Sequence, residues 1–348
     1  MEAKQLQDRV RGVLMAGAIG DALGYPVEFM TMNAIRREYG ENGITHLDTA
    51  TQEGNGADKA QVSDDTQMTL FTAMGMLNAG KLGVEPKYAI CRTYLEWYST
   101  QTGRPVNRPV SWIMDVEELH ALRAPGNTCL SSLRTILEGG EPVNNSKGCG
   151  GVMRVAPVAL FAAVNGRMDI EVADRLAGDA AEITHLHPLG YIPAALMSHV
   201  IYRLLLDENP TVGHLRMYID EGFETIRRVY PEHGFYIGEQ QSMIKAALNA
   251  TDNNLDDVTN IEAIGGGWVG DEALAIALYC AVKYFDNIEQ ALIASVNHSG
   301  DSDSTGAILG NILGAAVGYE AIPHHFKDNV EMHDVILVVA DQLFRAET

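Results

Sequence analysis

The sequence predicts an all-α protein whose 348 residues form one domain. Apolar residues recur at three- and four-residue spacing along most of the chain, which is the periodicity of one face of an α-helix. Strand-like alternation bounded by turn residues is scarce, and the sequence has no alternating strand–helix series, tandem repeat or low-complexity linker. A chain of this length can bury a substantial core, so we expect a single domain, residues 1–348, made of many helices.

Helical periodicity extends from the beginning of the chain to its end. The predicted helices are 5–23, 66–77, 87–98, 127–138, 169–184, 188–207, 212–229, 237–250, 271–285, 288–297, 304–317 and 333–345.

The composition is that of a folded protein with an acidic surface. Hydrophobic residues make up 46% of the chain and charged residues 20%. Acidic residues outnumber basic ones by 46 to 25, which gives a net charge of −21. Because sequence-independent nucleic-acid binding depends on Lys and Arg displacing counterions, this charge argues against a nucleic-acid partner.

Neither a membrane segment nor an export signal is indicated. The longest uninterrupted apolar run, 273–282, is about half the length of a membrane span. The start of the chain lacks the apolar stretch of a secretory signal. Four widely spaced cysteines form no Cys-x-x-Cys pair, which argues against a zinc site and a disulfide framework. We therefore expect a protein of the reducing cytoplasm that does not enter a membrane.

Three segments nearly lack charge. They are 12–28, with only Asp21 before Glu28, then 66–80 and 304–319. A helix without a charged face is normally buried on all sides. Each of these segments has carboxylates at one end: Asp21 and Glu28, Asp64 and Asp65, and Asp301 and Asp303. Because lone charges are costly inside a protein unless they are paired or bind a metal, we expect the three acidic ends to converge.

Two of these ends combine carboxylates with hydroxyl groups, in Ser63-Asp64-Asp65 and Asp301-Ser302-Asp303-Ser304. Hard divalent cations prefer such oxygen ligands, and a pair of them about 3.5–4 Å apart can position a water for attack. The simpler interpretation is helix capping, with Ser63 and Ser302 as N-caps and the acids complementing the helix dipoles. Both interpretations fit the pattern alone, since the pair Asp256-Asp257 occurs elsewhere without suggesting a site.

In combination these motifs resemble the ADP-ribosylglycohydrolase family, whose members include bacterial hydrolases that reactivate dinitrogen reductase. The resemblance covers residues from about 11 to 317 and is carried by Gly20-Asp21-Ala22-Leu23-Gly24 with Glu28, Ser63-Asp64-Asp65-Thr66, and Gly300-Asp301-Ser302-Asp303-Ser304. It implies a compact multi-helix fold of that family's type and an enzyme that removes ADP-ribose from modified proteins.

The resemblance further implies two divalent cations, Mg²⁺ or Mn²⁺. Their ligands would be Ser63, Asp64, Asp65, Asp301, Asp303 and Ser304. The two serines stand where relatives often have Thr, and both keep the oxygen. Glu28 falls at the position of a family glutamate on a loop over the metals, whereas by itself it is an ordinary exposed loop acid.

A glycine-rich segment, 146–154, resembles the family loop that surrounds ADP-ribose. Clustered glycines let backbone N–H groups approach phosphate oxygens, although the segment lacks the spacing of a Walker A loop and alone indicates only a turn. Relatives often have Asn in place of Cys149, and some have an aromatic residue in place of Lys147. A second segment that resembles the family, 266–274, contains Trp268, which we expect in the core. The implied ADP-ribose contacts are Asp21, Ser146, Gly148, Cys149, Gly150, Met153 and His185.

The implied reaction is hydrolysis of the bond between the anomeric carbon of ADP-ribose and a protein side chain. An N-glycosidic bond to arginine is our first expectation, and serine-linked ADP-ribose and O-acetyl-ADP-ribose are alternatives. Asp303 or Glu28 would act as general base.

Other classes of function fit the same resemblance. The protein can protect by contact, binding an ADP-ribosyltransferase or toxin, or it can be structural, like the lens crystallins of the family. It can also be a phosphohydrolase that cuts the pyrophosphate of ADP-ribose. The expected partner of the enzyme is an ADP-ribosylated protein.

Overall fold

A computed structural model describes residues 1–49 and 59–346 of the chain. Within these residues it contains sixteen α-helices and, in place of strands, two isolated β-bridges. The all-α prediction is confirmed, while the assignment of residues 1–348 to one domain stays a prediction. The helices are α1 (Ala3–Gly24), α2 (Met32–Tyr39), α3 (Asp64–Leu82), α4 (Pro86–Thr102), α5 (Asn127–Leu137), α6 (Ala156–Ala163), α7 (Ile170–Glu182), α8 (Pro188–Leu206), α9 (Val212–Val229), α10 (Gly234–Ala250), α11 (Asp257–Ile264), α12 (Gly270–Lys283), α13 (Ile288–Val296), α14 (Ser302–Val317), α15 (His324–Lys327) and α16 (His333–Arg345).

Every predicted helix matches an observed helix to within five residues at each end. Four short helices were not predicted from the periodicity: α2, α6, α11 and α15. The helix α6 shows why, because nearly all of its side chains are apolar and buried, so no polar face marks its turns.

The centre of the molecule is an antiparallel pair of helices, α1 and α14, whose backbones are in contact. A Cβ atom built on Gly20 would lie 2.0 Å from the carbonyl oxygen of Gly306, and one built on Gly310 would lie 2.0 Å from that of Ala16. Such close approach requires residues without side chains at the crossing. The contact repeats at four-residue steps, from Gly12 beside Gly314 to Gly24 beside Ser302. The C-terminal end of α1 is therefore held directly against the N-terminal end of α14.

The start of α3 is tied to the same place by Asp21, near the end of α1. The carboxylate of Asp21 accepts hydrogen bonds from the backbone N–H groups of Ser63, at 2.9 Å, and Thr66, at 3.0 Å, and from the Thr66 hydroxyl. All three charge-poor helices are buried through most of their length. The prediction that their acidic ends converge is confirmed.

One helix, α8, has the length and composition of a membrane span, with a mean hydropathy of 1.4 over its most apolar window. It differs from the apolar run singled out in the sequence because polar residues such as Ser198 and His199 interrupt it. In the fold, 83% of this window is buried against other parts of the protein. Composition of this kind is also that of a core helix, which is the position α8 occupies here.

Candidate active site

A cluster of buried carboxylates lies where α1, α3 and α14 meet. Oxygen atoms of Glu28, Asp301 and Asp303 lie within 4.8 Å of one another. Glu28 follows the 3-10 turn Tyr25–Val27 that continues α1, while the two aspartates stand at the start of α14. All three side chains are buried. The packing of α1 on α14 thus brings acids from distant parts of the sequence into one group.

The start of α3 contributes the next two acids. The Asp64 carboxylate accepts a hydrogen bond from Gly126 N–H at 3.2 Å, and Asp64 N–H donates to the Arg123 carbonyl oxygen at 3.0 Å. Burial raises the pKa of Asp65, and the Ser304 side chain on α14 lies close enough to its carboxylate to offset part of this rise. These contacts fix α3 against a neighbouring loop on one side and against α14 on the other.

Helix capping accounts for part of this arrangement. Ser63 is the N-cap of α3, with its hydroxyl oxygen accepting a hydrogen bond from Asp65 N–H at 3.1 Å. At α14 the N-cap is Asp301, so the expectation that Ser302 is the cap was wrong. The Ser302 hydroxyl instead donates to the Gly300 carbonyl oxygen at 3.4 Å. Caps alone do not explain why acids from distant parts of the chain face one another.

Burial and mutual repulsion raise the pKa values of the carboxyl groups in the cluster. Burial, followed by the charges of Asp301 and Asp64, raises the pKa of Glu28 to about 9. Burial, with the charges of Asp21 and Asp301, raises the pKa of Asp64 to about 8. The pKa values of Asp65 and Asp303 also lie well above the ordinary value, again chiefly because of burial. Ionised together, these groups require compensating positive charge.

Divalent cations fit this donor set. Within the described residues, one carboxylate oxygen of Glu28 and one of Asp65 are buried without a hydrogen-bond partner. Buried polar atoms without partners are rare in folded proteins and call for an ion or a water. The surrounding ligands are carboxylate and hydroxyl oxygens, which hard divalent cations prefer.

The glycine-rich loop covers one side of the cluster. The Cys149 thiol donates to Asp301 Oδ2 at 2.7 Å, and Met153 Sδ lies 3.9 Å from Ser304 Oγ. The Ser146 hydroxyl accepts from Gly148 N–H at 3.3 Å, which tightens the turn. The loop also pairs with the second glycine-rich segment, since Cys149 N–H donates to the Trp268 carbonyl oxygen at 3.2 Å.

His185 lies beneath the glycines of this loop. A Cβ atom built on Gly148 would lie 3.2 Å from His185 Nε2, and one on Gly150 would lie 3.1 Å from the same ring, so larger residues would displace it. Arg154 donates to the Thr184 hydroxyl at 2.6 Å, and that hydroxyl lies 2.9 Å from His185 Nδ1.

Burial and the charge of Arg154 lower the pKa of His185 to about 3. The ring is therefore neutral near pH 7 and carries one proton. The Thr184 hydroxyl can donate its proton to His185 Nδ1 or to the Ala181 carbonyl oxygen at 3.4 Å. The other ring nitrogen, Nε2, faces the loop.

The structure thus brings together the residues that the sequence singled out as metal ligands and most of those assigned to ADP-ribose, and their functional roles stay predictions. Asp21 is completely buried, and its carboxylate holds the start of α3. The expectation that Trp268 belongs to the core was wrong, since 44% of its surface is exposed and its ring stacks on Phe29.

Groups outside the motifs also support the cluster, and they were not predicted from the sequence. Glu331 accepts a hydrogen bond from Val62 N–H at 2.7 Å and lies 3.5 Å from the Arg123 guanidinium. Burial raises the pKa of Glu331 to about 7. Neither residue belongs to a recognisable motif, so no sequence signal marked them. Thr66 and Thr184 are also supporting residues, and each lies next to a residue that the sequence singled out. Their hydroxyl groups were the one feature of the sequence that could have indicated this role.

Comparison with known proteins agrees with this geometry. The ADP-ribosylglycohydrolase family profile matches residues 2–348. The chain is 26% identical to an ADP-ribosyl-dinitrogen reductase glycohydrolase of Rhodospirillum rubrum over 339 residues, which covers 95% of this chain and 93% of that protein. It is 24% identical to an ADP-ribosylarginine hydrolase of Serratia proteamaculans, with 97% of this chain and 79% of that protein covered.

A solved structure described as an ADP-ribosylglycohydrolase-related protein complex has the same fold. Its superposition gives a TM-score of 0.68 at 20% sequence identity and covers 99% of this chain and 100% of that one. Because the family profile spans nearly the whole sequence, the chain belongs to the ADP-ribosylglycohydrolase family and is a glycosidic hydrolase.

Proposed function

We propose that this protein hydrolyses the N-glycosidic bond between ADP-ribose and an arginine side chain of a modified protein, with two divalent cations, Mg²⁺ or Mn²⁺, in its carboxylate cluster. The observation that carries the proposal is the buried group of acids from three helices, with carboxylate oxygens of Glu28 and Asp65 left unpartnered within the described residues. Helix capping does not require carboxylates from three helices to face one another, whereas binding a pair of cations does.

The residues proposed to hold the cations are Ser63, Asp64, Asp65, Asp301, Asp303 and Ser304. Bound there, the cations would supply positive charge that orients the sugar hydroxyls and stabilises negative charge developing in the transition state. The protein's part is to hold the acids rigidly. The contacts of Asp21 with the start of α3 serve this purpose, as does the backbone packing of α1 on α14.

The glycine-rich loop is proposed to bind ADP-ribose, through Ser146, Gly148, Cys149, Gly150 and Met153. Its backbone N–H groups can approach phosphate oxygens because the glycines carry no side chains. His185 adds a neutral ring whose Nε2 faces the same loop. A neutral ring suits a position that must accept the ligand and later release it.

In the proposed reaction, water is divided between the two products. Its oxygen forms a bond to the anomeric carbon as the bond from that carbon to the guanidine nitrogen breaks, and a proton ends on the released arginine. Asp303 and Glu28 are the candidate general bases for the attacking water, since both carboxylates belong to the cluster. Glu28 itself is buried, while the next residue, Phe29, is exposed.

Arginine is the proposed linkage because the Serratia relative is named for that activity and aligns along nearly all of this chain. Serine-linked ADP-ribose is the alternative. The test is incubation with proteins that carry arginine-linked or serine-linked ADP-ribose, with and without EDTA, followed by chromatographic identification of the products.

We expect free ADP-ribose from the arginine-linked substrate, its loss with EDTA, and its recovery when Mg²⁺ or Mn²⁺ is restored. Release of AMP would instead indicate phosphohydrolysis, and release that survives thorough chelation would refute the role of the cations. Faster release from serine would overturn the assigned linkage alone.

A further inference from the structure

Two exposed aromatic side chains stack on each other at the edge of the carboxylate cluster. The ring centroids of Phe29 and Trp268 are 5.6 Å apart and their planes meet at 21°. Phe29 is 74% exposed and Trp268 44% exposed, although both belong to types that usually bury most of their surface. The pair therefore presents aromatic surface to solvent.

Each ring belongs to a residue that directly follows a member of the cluster or a residue in contact with one. Phe29 follows Glu28, whose carboxylate belongs to the cluster. Trp268 follows Gly267, and a Cβ atom built on Gly267 would lie 3.4 Å from the Asp301 carbonyl oxygen and 3.6 Å from Asp301 Cβ. Consecutive Cα atoms are about 3.8 Å apart, so both rings start close to the acids. They border the end of the site where the glycosidic bond would be cut.

The surroundings of the rings are acidic. The carboxylate of Glu272 accepts hydrogen bonds from Gly266 N–H at 3.1 Å and Gly267 N–H at 3.2 Å, directly before Trp268. The exposed Glu262 accepts from the Ser299 hydroxyl at 2.8 Å, and the same hydroxyl accepts from Met32 N–H, close to Phe29. Aromatic faces bordered by carboxylates attract planar cations, and a guanidinium stacks on aromatic rings particularly well.

We propose that the stacked rings of Phe29 and Trp268 form the subsite for the guanidinium group of the arginine that carries ADP-ribose, and so favour that linkage. This inference rests on the proposed arginine-directed hydrolysis. Adenine is also a flat ring system, but it is the far end of ADP-ribose from the bond that is cut. The position of the rings beside Glu28 and Asp301 therefore favours the guanidinium.

The test uses the whole protein with Mg²⁺ and two probes, ADP-ribosyl-arginine as substrate and free ADP-ribose as ligand. The small substrate is chosen because it shares the guanidinium with a protein substrate but has no other part of the modified protein. An effect of the rings on this substrate therefore reports on the guanidinium. The variants are Phe29→Ala, Trp268→Ala and their combination, with Phe29→Tyr and Trp268→Phe as conservative changes that keep a ring. Trp112→Ala is the matched control, since Trp112 is 39% exposed and lies beside the C-terminal end of α3, the opposite end from the cluster.

We expect the double variant to lower kcat/KM for ADP-ribosyl-arginine about tenfold, equivalent to about 1.4 kcal/mol, mostly through KM. The conservative variants and Trp112→Ala should stay close to wild type. The Kd of ADP-ribose, measured by calorimetry, should be unchanged in every variant, because the product lacks the guanidinium.

Two results would overturn the subsite while leaving the proposed function intact. If the double variant weakened ADP-ribose binding as much as it raised KM, the rings would bind the nucleotide. If it changed neither quantity, they would bind no part of the substrate. Failure of the wild-type protein to release ADP-ribose from arginine would refute the proposed function itself, and the subsite with it.

Discussion

The contact between α1 and α14 can be tested by adding a single methyl group. In Gly310→Ala, the new Cβ atom would lie 2.0 Å from the Ala16 carbonyl oxygen and 2.8 Å from Gly17 N. Carbon–oxygen contacts between packed helices are normally about 3.3–3.6 Å. Because the atoms in the way belong to the backbone, no side-chain rotation relieves the clash, and the helices must separate by about 1 Å or more at this point.

The expected cost follows from that separation. Overpacking a close-packed interior typically costs about 1–3 kcal/mol, and a gap of about 0.5–1 Å forfeits a quarter to a half of the dispersion energy across it. A clash with backbone belongs at the upper end of this range. Alanine regains about 1 kcal/mol because it favours a helix more than glycine does. We therefore expect Gly310→Ala to lower the free energy of unfolding by about 2 kcal/mol or more.

The assay is urea denaturation followed by circular dichroism, with EDTA present so that metal binding does not contribute. The matched control is Gly238→Ala in α10, where a built Cβ meets nothing within 4 Å, and this change should raise stability by about 0.5–1 kcal/mol. If Gly310→Ala proved as stable as wild type, the backbone contact that joins the ends of α1 and α14 would be misassigned.

Three further predictions concern the site. Asp303→Ala should slow ADP-ribose release at least about a hundredfold, whereas Asp256→Ala, an exposed helix cap, should leave initial rates almost unchanged; equal effects would contradict the distinction. In the metal-free protein, burial raises the pKa of Glu28 from its ordinary value of 4.5 to about 9. The contribution of Glu28 to folding stability is therefore fully present below pH 4.5 and is lost as the pH rises to 9. Mg²⁺ should therefore raise the melting temperature more at about pH 9.5 than at about pH 6.5, and a shift independent of pH would refute this linkage. Thr184→Val removes the nearest acceptor of the buried Arg154 guanidinium, at 2.6 Å, and leaves it the Ala180 carbonyl oxygen at 3.3 Å. The change should cost about 1–3 kcal/mol in urea denaturation, with Thr184→Ser close to wild type; an unaltered valine variant would argue against the network.

The convergence of the three acidic ends was predictable because it follows from the cost of burying charge. A charge-poor helix must be covered on all sides, so the carboxylates at its end need partners from elsewhere in the chain. The face of α1 that packs on α14 is also recognisable in the sequence once the structure is known. Gly12, Ala16, Gly20 and Gly24 recur at the spacing at which α14 contacts them. Small residues at four-residue intervals mark a close helix crossing, but they do not say which helix crosses.

Features that depend on the meeting of distant segments escaped prediction. The stacking of Phe29 on Trp268 joins two loops that no pattern relates, and an aromatic residue among glycines and apolar residues is ordinarily part of a core. The cap of α14 was assigned to Ser302 because serine is a common cap, whereas the backbone enters the helix one residue earlier, at Asp301. Contacts such as Arg123 with Glu331 depend on the complete tertiary fold.

Acids from three helices are proposed to hold a pair of divalent cations jointly. The anomalous scattering of Mn²⁺ in crystals of the protein grown with that ion would locate the pair. We expect two peaks about 3.5–4 Å apart, with ligands from both the Asp64–Asp65 end of α3 and the Asp301–Asp303 end of α14. Peaks bound by only one of these ends, or no peak in the cluster at saturating Mn²⁺, would contradict it.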